Sequence, residues 1–305
     1  MVSDDTEHAA LVAQAILRSR RDVPSFRKDL ARSLRWWLLA LPAGVGFATL
    51  RAIVKLWFGV SPERSGVFSA GNGPAMRSPI LGVAFGDDPE VLTQFVKAST
   101  EMTHSDPKAY YAALAVAVAA RDVGFDDVNW QGEYLRALSR FMPDEGAAEF
   151  HELAARAAAS AAADEAISVF ATSIGSTRGI SGYSYHTVPC VLQVWFRYGD
   201  DFSAGLQEII RAGGDTDTAG AIFGGIVGAR MGKGVIPRAW LDGVVEWPRS
   251  VRWLEALGEA VFRSLDEELE EAQGPRYFVP GVLARNVVFL LIVLAHGFRR
   301  LAPPY

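Results

Sequence analysis

The chain has 305 residues, of which 50% are apolar and 21% charged, so its composition is typical of a globular protein and excludes a disordered one. The net charge of −5, without any Lys/Arg-rich stretch, argues against sequence-specific nucleic-acid binding. The single cysteine, Cys190, excludes an internal disulfide, and together with an N-terminus unlike a signal peptide it predicts a cytoplasmic protein.

Helical patterns follow one another along the chain. Asp4 and Glu7 have the spacing of a capping box before an apolar-rich helix, and Pro24 begins a second helix. Further apolar periodicity predicts helices over residues 110–123, 147–172 (one helix or a pair), 188–198, 202–212 and 253–271. Since neither a low-complexity linker nor a repeat divides the sequence, residues 1–305 are predicted to form one compact all-α domain.

Two uncharged apolar runs have to be weighed as membrane segments. The run 36–50 is interrupted by Pro42, and the run 287–298 lies between Arg285 and Arg299. Both are shorter than the roughly 20 residues that a spanning helix requires. We therefore predict two buried helices and no membrane span, with interfacial attachment of the second run as the alternative. We also predict a monomeric protein.

Two acidic clusters, far apart in the sequence, each precede a predicted helix. The first is Ser3-Asp4-Asp5-Thr6-Glu7 and the second is Gly213-Gly214-Asp215-Thr216-Asp217-Thr218. Carboxylate and hydroxyl oxygens are the ligands that Mg²⁺ or Mn²⁺ prefers. If the clusters meet, like charges about 4 Å apart repel by roughly 4 kcal/mol at an effective dielectric constant near 20, so cations are needed between them. For the first cluster, helix capping is the alternative.

The second cluster opens a run that carries several glycines in a helical pattern, namely Gly220, Gly224, Gly225 and Gly228. Each glycine costs about 1 kcal/mol relative to alanine inside a helix. Such a cost is tolerated where another helix backbone comes very close. We therefore predict a tightly packed helix that presents Asp215 and Asp217 at its start.

Polar loops interrupt the helices over residues 65–77, 103–107 and 175–183. The Gly71-Asn72-Gly73 segment can curl around a ligand, and Phe68 beside it offers an aromatic face. Taken alone, a Gly-Asn-Gly segment is more often a turn than a ligand-binding loop. Likewise, His104 alone is more often a capping or core residue than a site residue.

In their order along the chain, these motifs resemble those of the ADP-ribosylglycohydrolase family, which includes dinitrogenase reductase-activating glycohydrolase and the eukaryotic ADP-ribosylhydrolases. Residues 3–7 resemble the family's first metal motif, with Ser3 in place of the usual threonine, and residues 213–218 resemble the second. Residues 71–77 resemble its Gly-Asn-Gly-x-Ala-Met-Arg loop, residues 103–105 its Thr-His-Ser element, and Gly182-Tyr183 the loop before the second metal motif.

The resemblance implies an all-α fold, a centre of two Mg²⁺ or Mn²⁺ ions and hydrolysis of an ADP-ribosyl bond on a modified protein, nucleic acid or small molecule. Members normally carry a glycine-rich helix upstream of the first motif, and this chain, which starts at the motif, is expected to lack it. The alternatives are a non-catalytic ADP-ribose-binding or structural relative, and a glycohydrolase of another nucleotide-like substrate.

The same resemblance assigns roles to individual residues. The predicted catalytic residues are Asp4, Asp5 and Asp217. The predicted metal ligands are Ser3, Asp4, Asp5, Asp215, Asp217 and Thr218. The predicted substrate contacts are Ser69, Gly71, Asn72, His104, Gly182 and Tyr183.

Overall fold

Helices make up the regular structure of the computed structural model, which describes residues 1–121, 129–265, 274–276 and 278–301. Within these ranges the backbone forms helices and isolated bridges but no strand, which confirms the all-α prediction. The helices are α1 (Asp4–Ser19), α2 (Val23–Leu39), α3 (Phe47–Trp57), α4 (Gly73–Met76), α5 (Pro79–Phe85), α6 (Pro89–Glu101), α7 (Pro107–Ala120), α8 (Trp130–Phe141), α9 (Ala148–Ala162), α10 (Ile167–Ser173), α11 (Ser184–Tyr198), α12 (Phe202–Ala212), α13 (Thr216–Met231), α14 (Arg238–Asp242), α15 (Val251–Leu265) and α16 (Val279–Leu301).

The centre of the core is α7, an alanine-rich helix that is buried along nearly its whole length. Helices α4, α5, α6, α11 and α13 all pack against it. Small side chains allow this close approach: a Cβ atom placed on Gly82 of α5 would overlap the carbonyl oxygen of Ala117. Because α4 and α13 lead directly from two of the candidate motifs, packing on α7 fixes where those motifs lie.

The predicted helix boundaries hold where local signals mark them. Helix α2 buries Leu30, Leu34 and Trp37 on one face, and the stretch 147–172 is the pair α9 and α10. The predicted ends of the helices over 110–123 and 253–271 lie outside the described residues, because 122–128 and 266–273 are not among them. That residues 1–305 form one domain, and that the protein is a monomer, stay predictions.

The predicted capping box at the start of α1 is wrong. Ser3, not Asp4, is the N-cap residue, and it makes no side-chain capping bond. Glu7 instead points into the core, where it accepts hydrogen bonds from Trp37, Arg249 and Arg285. Glu7 thus gains two guanidinium donors, with charge on both partners, in place of the single backbone N–H that a capping box offers.

The glycine-rich helix α13 differs in one detail from its prediction. A Cβ atom on Gly225 would lie 2.6 Å from Pro79 of α5, and one on Gly220 would lie 3.0 Å from Leu206, whereas Gly228 has open space around it among the described residues. The close neighbours are therefore side chains, and the expected approach of another helix backbone is wrong.

The prediction of two buried helices for the apolar runs is also wrong. The first run contains the end of α2 and the start of α3, and it leaves Trp36 64% exposed. The second run belongs to α16, in which the segment Val279–Arg299 has 21 residues. The most apolar 18-residue stretch of this segment has a mean hydropathy of 1.9, and 22% of that stretch is buried. By length and composition, α16 is long and apolar enough to cross a membrane.

Candidate functional site

The two acidic motifs lie at the starts of α1 and α13. The backbone ahead of α13 turns through Gly213 and Gly214, at φ +71° and +81°. Asp215 N–H donates to the carbonyl oxygen of Ile180 at 2.7 Å, and a Cβ atom on Gly214 would overlap that same oxygen. The position requires glycine for both reasons, and the turn aims the start of α13 at the first motif.

Side-chain proximity and charge connect the motifs across this junction. The Ser3 hydroxyl donates to Asp5 Oδ2 at 2.5 Å, and the Thr218 hydroxyl of α13 is near enough to the Asp5 carboxyl to lower its pKa. The charge of Asp217 acts on Asp4, Asp5 and Asp215. The carboxyl groups predicted to act together are therefore close enough to influence one another.

Burial and mutual repulsion raise the pKa values of Asp4, Asp5 and Asp215. Desolvation, with the charge of Asp5 next in importance, raises the pKa of Asp4 to about 7. Desolvation also raises the pKa of Asp5, against the lowering effect of the Ser3 and Thr218 hydroxyls. It raises the pKa of Asp215 likewise, while a hydrogen bond from Asn72 opposes the shift. Crowded, desolvated carboxyl groups of this kind are stabilised by a cation.

The oxygen donors fit a hard divalent cation, although they do not form a finished metal site. Asp5 is 1% exposed, and its Oδ1 atom has no hydrogen-bond partner among the described residues. A buried carboxylate oxygen without a donor is costly unless a cation satisfies it. Within the described part of the chain, no three Asp, Glu, His or Cys side chains converge closely enough to hold a metal ion as they stand. A bound cation would offset the repulsion between these carboxyl groups and so draw them together.

The predicted substrate loops meet beside Asp215. Asn72 N–H donates to Gly182 at 3.0 Å, and Ser184 N–H donates to Ala70 at 2.8 Å, so the two loops run side by side. The Asn72 side chain donates to Asp215 Oδ2 at 2.7 Å and to Thr187 at 3.0 Å. Gly182 is exposed and Tyr183 is half-buried at this edge. Asn72 therefore connects the predicted substrate loop to the second acidic motif.

His104 lies directly behind the Gly71–Gly73 turn. Its ring is 4% exposed, and Cβ atoms placed on Gly71 and Gly73 would lie 2.9 and 3.2 Å from it. Ser69 Oγ would be 3.5 Å from the same Gly71 Cβ position. Burial, with the charge of Arg77 next, lowers the pKa of His104 to about 3, so the ring is neutral. The histidine thus sets the shape of the turn from behind and contacts Thr103 at 2.9 Å.

A set of buried arginines, which the sequence analysis missed, supports the first acidic motif and the segment that carries Thr103. Arg77 is fully buried and donates to Ser99 and Thr103 at 2.7 Å, with His8 of α1 at 3.2 Å. Glu7, in the first motif, accepts from Arg249 and Arg285, which are 242 and 278 residues away in the sequence. Arg77 and Glu7 lie within motifs that the sequence analysis described. Their partners were missed because no local sequence pattern indicates contacts between residues so far apart in the chain.

Comparisons with known proteins show what the chain is similar to. Residues 1–272 match the family model described as ADP-ribosylglycohydrolase. Over 246 residues the chain is 32% identical to an uncharacterised protein of Archaeoglobus fulgidus, covering 79% of this chain and 75% of that one. It is 26% identical over 244 residues to the ADP-ribosyl-[dinitrogen reductase] glycohydrolase of Rhodospirillum rubrum, covering 79% and 72%. The solved structure of an ADP-ribosylglycohydrolase-related protein complex superposes with a TM-score of 0.65 at 26% identity, covering 87% of this chain and 82% of that one.

Proposed function

The chain belongs to the ADP-ribosylglycohydrolase family, and we propose that in the cytoplasm it hydrolyses the glycosidic bond of an ADP-ribosyl group on a modified protein or a small molecule. Glycohydrolysis is the activity of the family. The observation that carries the proposal is the packing of α1 against α13, which brings together acidic motifs far apart in the sequence and leaves Asp5 Oδ1 buried without a donor among the described residues. Helix capping alone gives no reason for these groups to meet.

The family generally uses divalent metal ions, and we propose that two Mg²⁺ or Mn²⁺ ions bind between α1 and α13. The residues that would hold them are Ser3, Asp4, Asp5, Asp215, Asp217 and Thr218. Such ions, when bound, orient the ribose hydroxyls and make an attacking water more acidic.

The residues of this chain supply orientation and proton acceptance. The bond from Ser3 fixes Asp5 Oδ2 and leaves Oδ1 for a cation. The proton of the water that attacks the anomeric carbon passes to one of three candidate bases, Asp4, Asp5 and Asp217, as the bond to the acceptor group breaks.

The ADP-ribosyl group would bind along the joined loops. Gly71 and Gly182 leave the backbone accessible at this edge, Asn72 is held against Asp215, and the half-buried Tyr183 forms the opposite wall. Phe68, which is 79% exposed, offers a face on which adenine can stack. Neutral His104, behind the turn, keeps the loop in position and can still bond to a ribose or phosphate oxygen through Nε2.

Metal binding is tested by titrating Mn²⁺ calorimetrically into the wild type, Asp217→Asn and the control Asp87→Asn, in which an exposed carboxylate far from the motifs is neutralised. We expect at least about a tenfold loss of affinity in Asp217→Asn, since a carboxylate ligand is lost, and wild-type affinity in the control. Equal affinities in all three proteins contradict the ligand assignment.

Activity is tested by incubating the same three proteins with ADP-ribosyl-arginine and ADP-ribosyl-serine substrates in the presence of Mg²⁺. Release of ADP-ribose by the wild type and by Asp87→Asn, but not by Asp217→Asn, is the expected result. Tight binding of ADP-ribose without release from either substrate would instead identify a non-catalytic binder.

A further inference from the structure

Helix α16 divides into a half that the protein holds and a half that it leaves exposed. In the first half, Val282, Arg285 and Asn286 are buried. Arg285 donates to Glu7 at 2.9 Å and to Glu246 at 2.7 Å, and the Asn286 amide donates to Ala40 at 2.8 Å. These bonds fix the direction in which the remainder of the helix leaves the body of the protein.

The second half, residues 287–298, is apolar except for His296 and carries no charge. The large apolar side chains exposed by more than 40% are Val287, Val288, Leu291, Ile292, Val293, Leu294 and Phe298. At about 100° per residue these positions surround the helix axis and do not form a single stripe. A helix that is apolar on all sides requires an apolar medium on all sides.

This distribution determines what kind of partner covers the helix. A second copy of the chain lying along α16 would cover one face and leave the other apolar faces in water. The helix is not a core helix of the protein, because only 22% of its most apolar window is buried, and it does not lie near the N-terminus, where a signal sequence is found. A lipid bilayer is the partner that covers every face.

We propose that the second half of α16 inserts into one leaflet of a lipid bilayer and holds the protein at a membrane surface. Twelve residues extend about 18 Å at 1.5 Å per residue, against a leaflet depth of about 15 Å, half of the hydrocarbon core. Arg299 follows Phe298 directly, and a charged side chain is costly near the bilayer centre. The helix therefore enters obliquely, so that the Arg299 side chain reaches back to the headgroups.

Two exposed tryptophans lie beside the first half of α16. Trp36, 64% exposed, lines the same cavity as Val279 and Val282. Trp247, 56% exposed, contacts the ring of Phe278 with centroids 5.7 Å apart. Tryptophan side chains are favoured at the headgroup level of membranes, so these two residues agree with a first half of α16 that lies at the membrane surface.

The helix lies outside the region that matches the family model, since that region ends at residue 272 and α16 begins at Val279. It is nevertheless bonded to the candidate site. Arg285 holds Glu7 and also donates to Val2 at 2.5 Å, next to the first acidic motif. Membrane insertion would thus present the site to acceptors located at a membrane surface.

Vesicle flotation tests the insertion with the full chain and pure phosphatidylcholine vesicles. The wild type should float, and Leu291→Asp should bind about tenfold more weakly, because the segment then carries a charge into hydrocarbon. The control Val169→Asp places the same charge on an apolar side chain of α10 that is 52% exposed, and it should float like the wild type. Absence of flotation of the wild type overturns the proposal, as does binding that needs anionic lipid and disappears at high salt.

A labelled variant tests the location directly. Because Cys190 is buried, a thiol-reactive, polarity-sensitive fluorophore will label Leu291→Cys selectively. Its emission should shift to the blue when vesicles are added, whereas that of labelled Val169→Cys should not. A lipid-free dimer that Leu291→Asp dissociates, combined with no shift, would show that α16 binds a second copy. Neither measurement involves ADP-ribose, so failure here is distinct from failure of the proposed hydrolysis.

Discussion

Replacing Glu7 with glutamine should destabilise the protein strongly although the side chain keeps its size. Glu7 is 2% exposed and accepts from Trp37 at 2.6 Å, from Arg285 at 2.9 Å and from Arg249. Both arginines are buried as well, at 5% and 3% exposure. In Glu7→Gln, Glu246 is left as the one carboxylate bonded to Arg285, and Arg249 loses its charged partner among the described residues. Breaking a buried ion pair costs about 3–5 kcal/mol.

Because glutamine can still accept from Trp37, we expect the lower end of this range, a loss of about 3 kcal/mol in the free energy of unfolding. At roughly 2.1 cal/mol/K per residue, this lowers the melting temperature of a 305-residue protein by about 5 °C. Urea and thermal unfolding of Glu7→Gln measure the loss.

The matched control is Glu259→Gln, which removes the same charge from the exposed pair with Arg263, whose side chains are 62% and 58% exposed. An exposed pair four residues apart on a helix contributes about 0.5 kcal/mol or less. Losses of equal size in the two variants, or a loss below about 1 kcal/mol in Glu7→Gln, would refute the role given to the buried network.

Two further predictions concern His104 and the glycines. His104 has a folded pKa of about 3 against about 6.5 unfolded, so the unfolded chain binds the extra proton and stability falls as pH drops below 6.5. Between pH 7 and 5.5 the wild type should lose about 1 kcal/mol more than His104→Gln in urea unfolding; parallel pH profiles would contradict this. Gly82→Ala should cost about 2 kcal/mol because its Cβ overlaps Ala117, whereas Gly258→Ala, with open space among the described residues, should gain about 1 kcal/mol. Thermal unfolding distinguishes the two, and shifts of the same sign would refute the packing argument.

The sequence predicted those features that local patterns determine. Pro107 begins α7 and Pro24 lies in the first turn of α2, because proline suits a first helical turn. The helix predicted over residues 202–212 is α12, which ends directly before Gly213 at φ +71°. The two acidic motifs, by contrast, could be joined only through family resemblance, since nothing in either one encodes its distance from the other.

What the sequence could not predict depends on partners distant in the chain. Glu7 looks like a capping residue until Arg249 and Arg285 are placed beside it. The run that ends α16 looks like a buried helix, because apolar composition predicts burial without saying which partner covers the helix. The end of α2 divides similarly, since Trp37 packs inward while Trp36, one residue earlier, faces outward.

In the first acidic motif, Glu7 stabilises the fold and Asp5 is a candidate metal ligand. The hydrogen-bond partners of the two side chains, and not their burial, distinguish these roles. Asp5 and Glu7 are equally buried, at 1% and 2% exposure. Both oxygens of Glu7 already accept bonds, Oε1 from two arginines and Oε2 from Trp37, so little capacity remains for a cation. Asp5 keeps Oδ1 without a donor among the described residues. The proposal that Asp5 binds a metal ion, and the role of Glu7 in anchoring α1, therefore both rest on which carboxylate lone pairs are still available.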